Sequence, residues 1–242
     1  MEALQRLSAV FDLDPACAAA LSDYLDLLLG WRAGNVTGVH DREQATRSLI
    51  GDALALLDVA EARAGLQSQT PAVDLGAGAG VPGLPLAIAV PAARLVALES
   101  VGKKCAFLRA VVTKLGLGER VHVVCARSEE HAAAGAPGRE AYGLALARAV
   151  GPLPTVVELA APLLADGAAL LVPTTAQRAE ADWQAAEAAG GSCGLALDRV
   201  EPLARSPLTH SVCVVAHKVG PAPEWLPRRA GRARTHPLTA SR

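Results

Sequence analysis

The stretch from Ala72 to Pro85, Ala-Val-Asp-Leu-Gly-Ala-Gly-Ala-Gly-Val-Pro-Gly-Leu-Pro, limits what this chain can fold into more than any other. It reads as the end of a buried strand followed by a glycine turn. Glycines at 76, 78, 80 and 83 permit positive φ and let a ligand approach the main chain where a Cβ would stand in the way. Asp74 precedes them, at the carboxyl end of what would be the first strand of an open α/β sheet, where such folds bind nucleotides. The dinucleotide pattern G-x-G-x-x-G can be laid on Gly78, Gly80 and Gly83. Pro82 and Pro85 would then fall in the first turn of the helix, where a phosphate needs free N–H groups. A Walker loop would close on Gly-Lys-Ser or Gly-Lys-Thr, and none follows. Many glycine turns are purely steric, so the surroundings must decide.

Downstream, the pattern alternates strands with helices. Val73–Leu75 is the first strand and Leu84–Val90 the helix after the turn. Arg94–Glu99 is a second strand, Lys103–Leu115 a helix, Val121–Ala126 a third strand and Leu144–Val150 a fourth. A helix over 155–165 leads to a fifth strand, Ala168–Val172, and the runs Leu195–Leu203 and His210–His217 form an antiparallel pair. Seven strands with the last reversed define the α/β class.

Upstream, residues 1–68 are helical in periodicity. Two amphipathic helices meet at Asp14-Pro15, a cap followed by proline at the first helical position, and the second ends near Trp31. Asp41 caps a short helix, and Leu49–Ala62 reads as a longer one. This block is either a lid over the ligand site or structural packing. The expected organisation is a helical extension over 1–68, an α/β domain over 69–218 and a tail over 219–242.

Composition bounds the rest. Apolar residues make up 51% of the 242, enough for a large core, but only 3% are aromatic, so Ala, Val and Leu must build it. No run of about 20 apolar residues exists to span a membrane. Cysteines 17, 105, 125, 193 and 213 are widely spaced, without zinc-ligand spacing. They are expected to be buried thiols in a reducing compartment, with no metal bound. The net charge is −1, but the tail holds five arginines (228, 229, 232, 234 and 242) against Glu224. That is +4 on a body near −5, either a phosphate-contacting arm or a solvated terminus.

Three places carry chemistry. Glu99, at a strand end about 25 residues after Asp74, can accept from both hydroxyls of a ribose; the competing reading is a surface glutamate. Arg127-Ser128-Glu129-Glu130 follows the third strand, where a purine would lie. Arg148, near the end of an otherwise apolar strand, must be paired or face a cleft. It either clamps Asp74 or Glu99, or binds a substrate phosphate or guanine edge. His122 and His217 read as packed or edge residues.

The segment D-L-G-x-G-x-G resembles the S-adenosylmethionine loop of class I methyltransferases, and the resemblance extends along the chain. Asn35-Val-Thr-Gly-Val-His-Asp, the stretch Val73 to Ala89, Glu99 with Lys103-Lys104-Cys-Ala-Phe-Leu, Ala126-Arg-Ser-Glu-Glu, Arg148-Ala-Val and Pro227-Arg-Arg-Ala-Gly are similar to the small-subunit ribosomal RNA methyltransferase G family. That resemblance implies a Rossmann-like class I methyltransferase fold and S-adenosyl-L-methionine as cofactor. It implies methylation of N7 of a guanine in 16S ribosomal RNA, by a cytoplasmic monomer acting on the RNA or the small ribosomal subunit. Carried onto this chain, it nominates Asp74, Gly76, Ala77, Gly78, Gly80, Val81, Pro82, Gly83, Leu84, Glu99, Ser128, Glu129 and Arg148 for the cofactor. Arg148, Arg228, Arg229, Arg232 and Arg234 are nominated for RNA. No catalytic base is expected, because N7 already offers a lone pair. The chain departs from the family in having Arg47-Ser48 for Arg-His and Val172-Pro173-Thr174 for Leu-Lys-Gly. A divergent methyltransferase for another RNA or a small molecule, and a non-catalytic binding module of the same fold, stand as alternatives.

Overall fold

The computed structural model describes residues 2–238; Arg242 of the tail lies outside them. Helices α1 (Glu2–Phe11) and α2 (Pro15–Gly30) meet as expected. Asp14 caps α2 by accepting from the N–H of Cys17 at 2.7 Å, and Asp41 caps α3 (Arg42–Ala45) by accepting from Gln44 N–H at 2.7 Å. The single long helix expected over Leu49–Ala62 is instead broken into pieces. A π-helical turn (Thr46–Gly51), α4 (Asp52–Leu54) and a 3-10 turn (Ala55–Asp58) come first. Val59 then takes extended backbone before α5 (Ala60–Leu66). Val59 is β-branched and fully buried, so tertiary packing overrides helical periodicity there.

The sheet then begins: β1 (Ala72–Leu75), α6 (Gly83–Ala89), β2 (Leu95–Glu99), α7 (Gly102–Lys114), β3 (Val121–Cys125), α8 (Ser128–His131), β4 (Tyr142–Leu146), α9 (Leu153–Ala160) and β5 (Leu164–Thr175). α10 (Ala176–Cys193), β6 (Leu195–Pro202), β7 (Ser211–Lys218) and α11 (Arg232–Thr235) complete the chain. The order is β3-β2-β1-β4-β5-β7-β6, and only β7 runs against its neighbours. β1 and β4 are central and covered on both faces, which suits their nearly continuous apolar sequences. The strand order reverses on either side of β1, and this places the ligand crevice beyond the carboxyl ends of β1, β2 and β4.

Two cores flank the sheet. One holds the N-terminal helices with α6 and α7, and the other holds α9, α10 and the tail residues Leu226 and Ala233. Of the two roles considered for residues 1–68, packing is therefore the one observed. Tyr24 and Leu25 of α2 are fully buried, and Trp31 meets Phe107 of α7 edge to face, with centroids 5.3 Å apart. The expectation of five unpaired thiols fails at one pair. Glu99 stands opposite Cys125 in the sheet register and Cys105 follows six residues after Glu99, so the two Cα atoms lie 5.9 Å apart and the sulfurs are bonded. Cys17, Cys193 and Cys213 remain thiols. Among the described residues, no helix is long and apolar enough to cross a membrane.

Candidate cofactor site and substrate cleft

The glycine turn is built against Asp74. Gly80 has φ +88, a conformation that side chains disfavour. Gly83 opens α6, and a Cβ there would sit 2.6 Å from Asp74 Oδ2; the glycine N–H donates to that oxygen instead, at 3.0 Å. Asp74 is completely enclosed, and its Oδ1 has no hydrogen-bond partner among the described residues. Burial, reinforced by the charge of Glu99, pushes its carboxyl up to about 7, against the opposing pull of the Gly83 N–H and Arg148. Tyr24 reaches the loop from behind, donating its hydroxyl to Ala79 O at 2.8 Å. No local sequence signal marked that contact, which spans 55 positions.

Glu99 is buried at the end of β2. Its Oε2 accepts from Gly78 N–H at 2.9 Å and its Oε1 from Val101 N–H at 2.8 Å. Each carboxylate oxygen keeps a second lone pair, so the group is pre-aimed and still able to accept from two hydroxyls. It borders a cavity of about 200 Å³ with Gly76, Val101, Arg127, Ser128, Glu129, Val150 and Arg234. Of the residues nominated for the cofactor, Gly76, Glu99, Ser128 and Glu129 line this space. Gly78 acts through Glu99. Ala77, Val81 and Leu84 are buried in the core and, with Gly80, Pro82 and Gly83, shape the loop.

Arg148 takes neither of the carboxylates first considered for it. The strand ends at Leu146, so Arg148 sits in the following turn, beside Ala149 at φ +56. Its Nη2 lies 3.2 Å from Asp52 Oδ2 and donates to Ser48 O at 2.8 Å. Asp52, itself buried, accepts on Oδ1 from the hydroxyls of Ser206 (2.8 Å) and Ser211 (2.5 Å). The group faces a second cleft of about 960 Å³, lined also by Thr174, Arg178, Asp182 and Thr209. Ala149 borders both spaces.

The tail is docked on the domain. Arg228 forms a two-pronged pair with buried Glu158 at 2.6 and 2.5 Å and also donates to His236 O, so its charge is committed to packing. Arg139 donates to Leu226 O at 2.7 Å, and Glu140 accepts from Ala222 N–H at 2.7 Å. Arg229, Arg232 and Arg234 are exposed, and Arg234 also donates to Val150 O at 3.2 Å.

A glycine loop held by a buried acid, with a carboxylate at the next strand end, on a seven-stranded sheet with one reversed strand, defines a class I methyltransferase-type domain. Among solved structures, a predicted O-methyltransferase, Atu636 of Agrobacterium tumefaciens, is similar over 70% of this chain and 81% of its own, at 22% identity and TM-score 0.52. The [4+2]-cyclase SpnF is similar over 87% and 98%, at 14% identity and TM-score 0.53; these likenesses show the fold alone. Residues 18–206 match the family described as rRNA small subunit methyltransferase G. The ribosomal RNA small subunit methyltransferase G of Rubrobacter xylanophilus is 36% identical over 90% of this chain and 82% of its own. That of Chloroflexus aggregans is 34% identical over 91% and 90%. The chain belongs to the rRNA small subunit methyltransferase G family.

Proposed function

We propose that this chain binds S-adenosyl-L-methionine in the cavity bordered by Glu99 and transfers its methyl group to N7 of a guanine in 16S ribosomal RNA, acting as a cytoplasmic monomer. The observation that carries the reading is the junction at Ala149: a nucleoside-sized site with a pre-aimed ribose carboxylate lies beside a larger cleft lined by Arg148. The residues present fit the cofactor. Glu99 can accept from the ribose hydroxyls, and Oδ1 of Asp74, with no donor among the described residues, is matched to an ammonium or the water that binds one. When bound, the cofactor supplies a methyl group on a positively charged sulfur.

Guanine N7 carries a lone pair in the plane of the ring, so no base is needed to prepare it. The protein's work is alignment and exclusion of water. Arg148 is held at Nη2 by Asp52 and Ser48, while its Nε and Nη1 have no partner among the described residues. Those N–H groups can hold guanine O6 and leave N7 free. Asp52 acts here by holding the arginine.

The deciding experiment supplies purified protein and S-adenosylmethionine to small ribosomal subunits from a strain lacking the corresponding gene, then maps 7-methylguanosine in the 16S RNA. One new 7-methylguanosine is expected. Absence of any methyl transfer to the subunit or its RNA would rule the reading out.

A further inference from the structure

We infer that Arg234, carried by the docked C-terminal segment, is a cofactor residue: its guanidinium forms the outer wall of the adenosyl cavity and packs on the purine. The inference rests on the reading of that cavity as an S-adenosylmethionine site. On charge alone, Arg234 belongs with the exposed RNA-facing arginines of the tail. The geometry separates it from them.

Three contacts fix the segment that carries it. Arg228 is locked to buried Glu158. The N–H of Gly231 donates to Glu129 Oε1 at 2.8 Å, and Glu129 itself borders the cavity. The buried hydroxyl of Thr155 donates to Ala233 O at 3.1 Å. One residue later the guanidinium is tethered to Val150 O at 3.2 Å, and Arg234 borders the same cavity as Glu99 and Glu129. No carboxylate lies within ion-pair distance of it among the described residues, so its charge and planar face are uncommitted. A purine whose ribose is held by Glu99 extends toward Ser128 and Glu129, and Arg234 lines that same space. A planar guanidinium suits this place because it can stack on a ring while one N–H stays bonded to a carbonyl.

The test measures binding of S-adenosylhomocysteine and of adenosine to the full chain by calorimetry. Arg234→Ala should raise both dissociation constants by about the same factor, roughly three- to thirtyfold, because the lost contact is to the nucleoside that the two share. Arg234→Lys should restore less than half of the loss, since an ammonium keeps the charge without the planar face. Unfolding temperatures of the variants should match wild type, as the side chain is exposed. The inference is overturned if Arg234→Ala binds both ligands within twofold of wild type, or if only S-adenosylhomocysteine is weakened. A wild-type chain that binds neither ligand would overturn the cofactor reading and this inference with it; normal wild-type binding with an indifferent Arg234→Ala overturns this inference alone.

Discussion

Asp74 is a buried carboxyl with one oxygen satisfied by Gly83 and one left over, and its environment sets a pH dependence. Burial holds its folded value at about 7 against an ordinary 3.8, so the native state keeps a proton that the unfolded chain has released. The unliganded fold is therefore most stable below the ordinary value, loses stability as pH rises through that interval and levels off above about 7. A ligand ammonium near Oδ1 favours the carboxylate. Affinity for S-adenosylhomocysteine should then climb up to about tenfold per pH unit below the folded value and flatten above it, as calorimetry from pH 5 to 8 would record. Asp74→Asn should give a flat, weaker profile, and adenosine, lacking the ammonium, should show no such slope with wild type. Identical slopes for the two ligands would remove Asp74 from ligand binding. The positions of Asp74 and Glu99 are legible in the sequence because they follow from short-range order: strand, acid, glycines, next strand end. The partners of Arg148 are not, because Asp52 lies in a segment whose helical periodicity hides a π turn and reaches Arg148 only through the fold.

At the scale of elements, the seven strands and the reversed last one are legible as apolar runs in the sequence, while two helical features are not. α10 carries little signal in the sequence because its buried face is mostly small, with Ala179, Ala186 and Ala189, so its periodicity is faint, and it ends in Gly190-Gly191 and two further residues. Arg178, in its first turn, is hidden in the sequence with it. A cation there opposes the helix dipole, has no ion-pair partner among the described residues and faces the large cleft, while nearby Asp182 accepts from Leu153 N–H at 2.9 Å. Arg178→Gln should leave the unfolding temperature unchanged or slightly raised, and should reduce the salt slope of 16S RNA binding by about one phosphate contact. Filter binding over a range of salt concentrations would show this, and an unchanged slope would exclude the contact. α2 is the other element with an unforeseen task, since Tyr24 fastens the glycine loop from behind. Tyr24→Phe leaves Ala79 O short of a donor and should cost about 1–2 kcal/mol in urea unfolding, with weaker S-adenosylhomocysteine binding. Equal stability and affinity in the variant would make the tyrosine a mere space-filler.

Across the whole molecule, the boundary drawn at residue 68 marks a change of periodicity in the sequence but cuts through one core. Leu21, Leu25, Leu54 and Leu66 share a cluster with Leu84, Phe107 and Val111, so the glycine loop and α6 pack on the N-terminal helices as much as on the sheet. Each fully buried leucine contributes on the order of 2 kcal/mol of apolar burial, and net stability of a domain is only about 5–15 kcal/mol. Removing residues 1–68 would thus bare one side of the sheet and take Tyr24 from the loop. The intact chain should unfold in a single thermal transition. S-Adenosylhomocysteine at a hundred times its dissociation constant adds about 2.7 kcal/mol, which for a chain of this size raises that transition by roughly 5–10 °C. A fragment spanning 69–242 should show neither a cooperative transition nor a ligand-induced rise, measured by calorimetry on the two proteins side by side. If the fragment melted cooperatively and gained the same increment from ligand, the N-terminal helices would be an appendage, and the loop's position would have to come from the sheet alone.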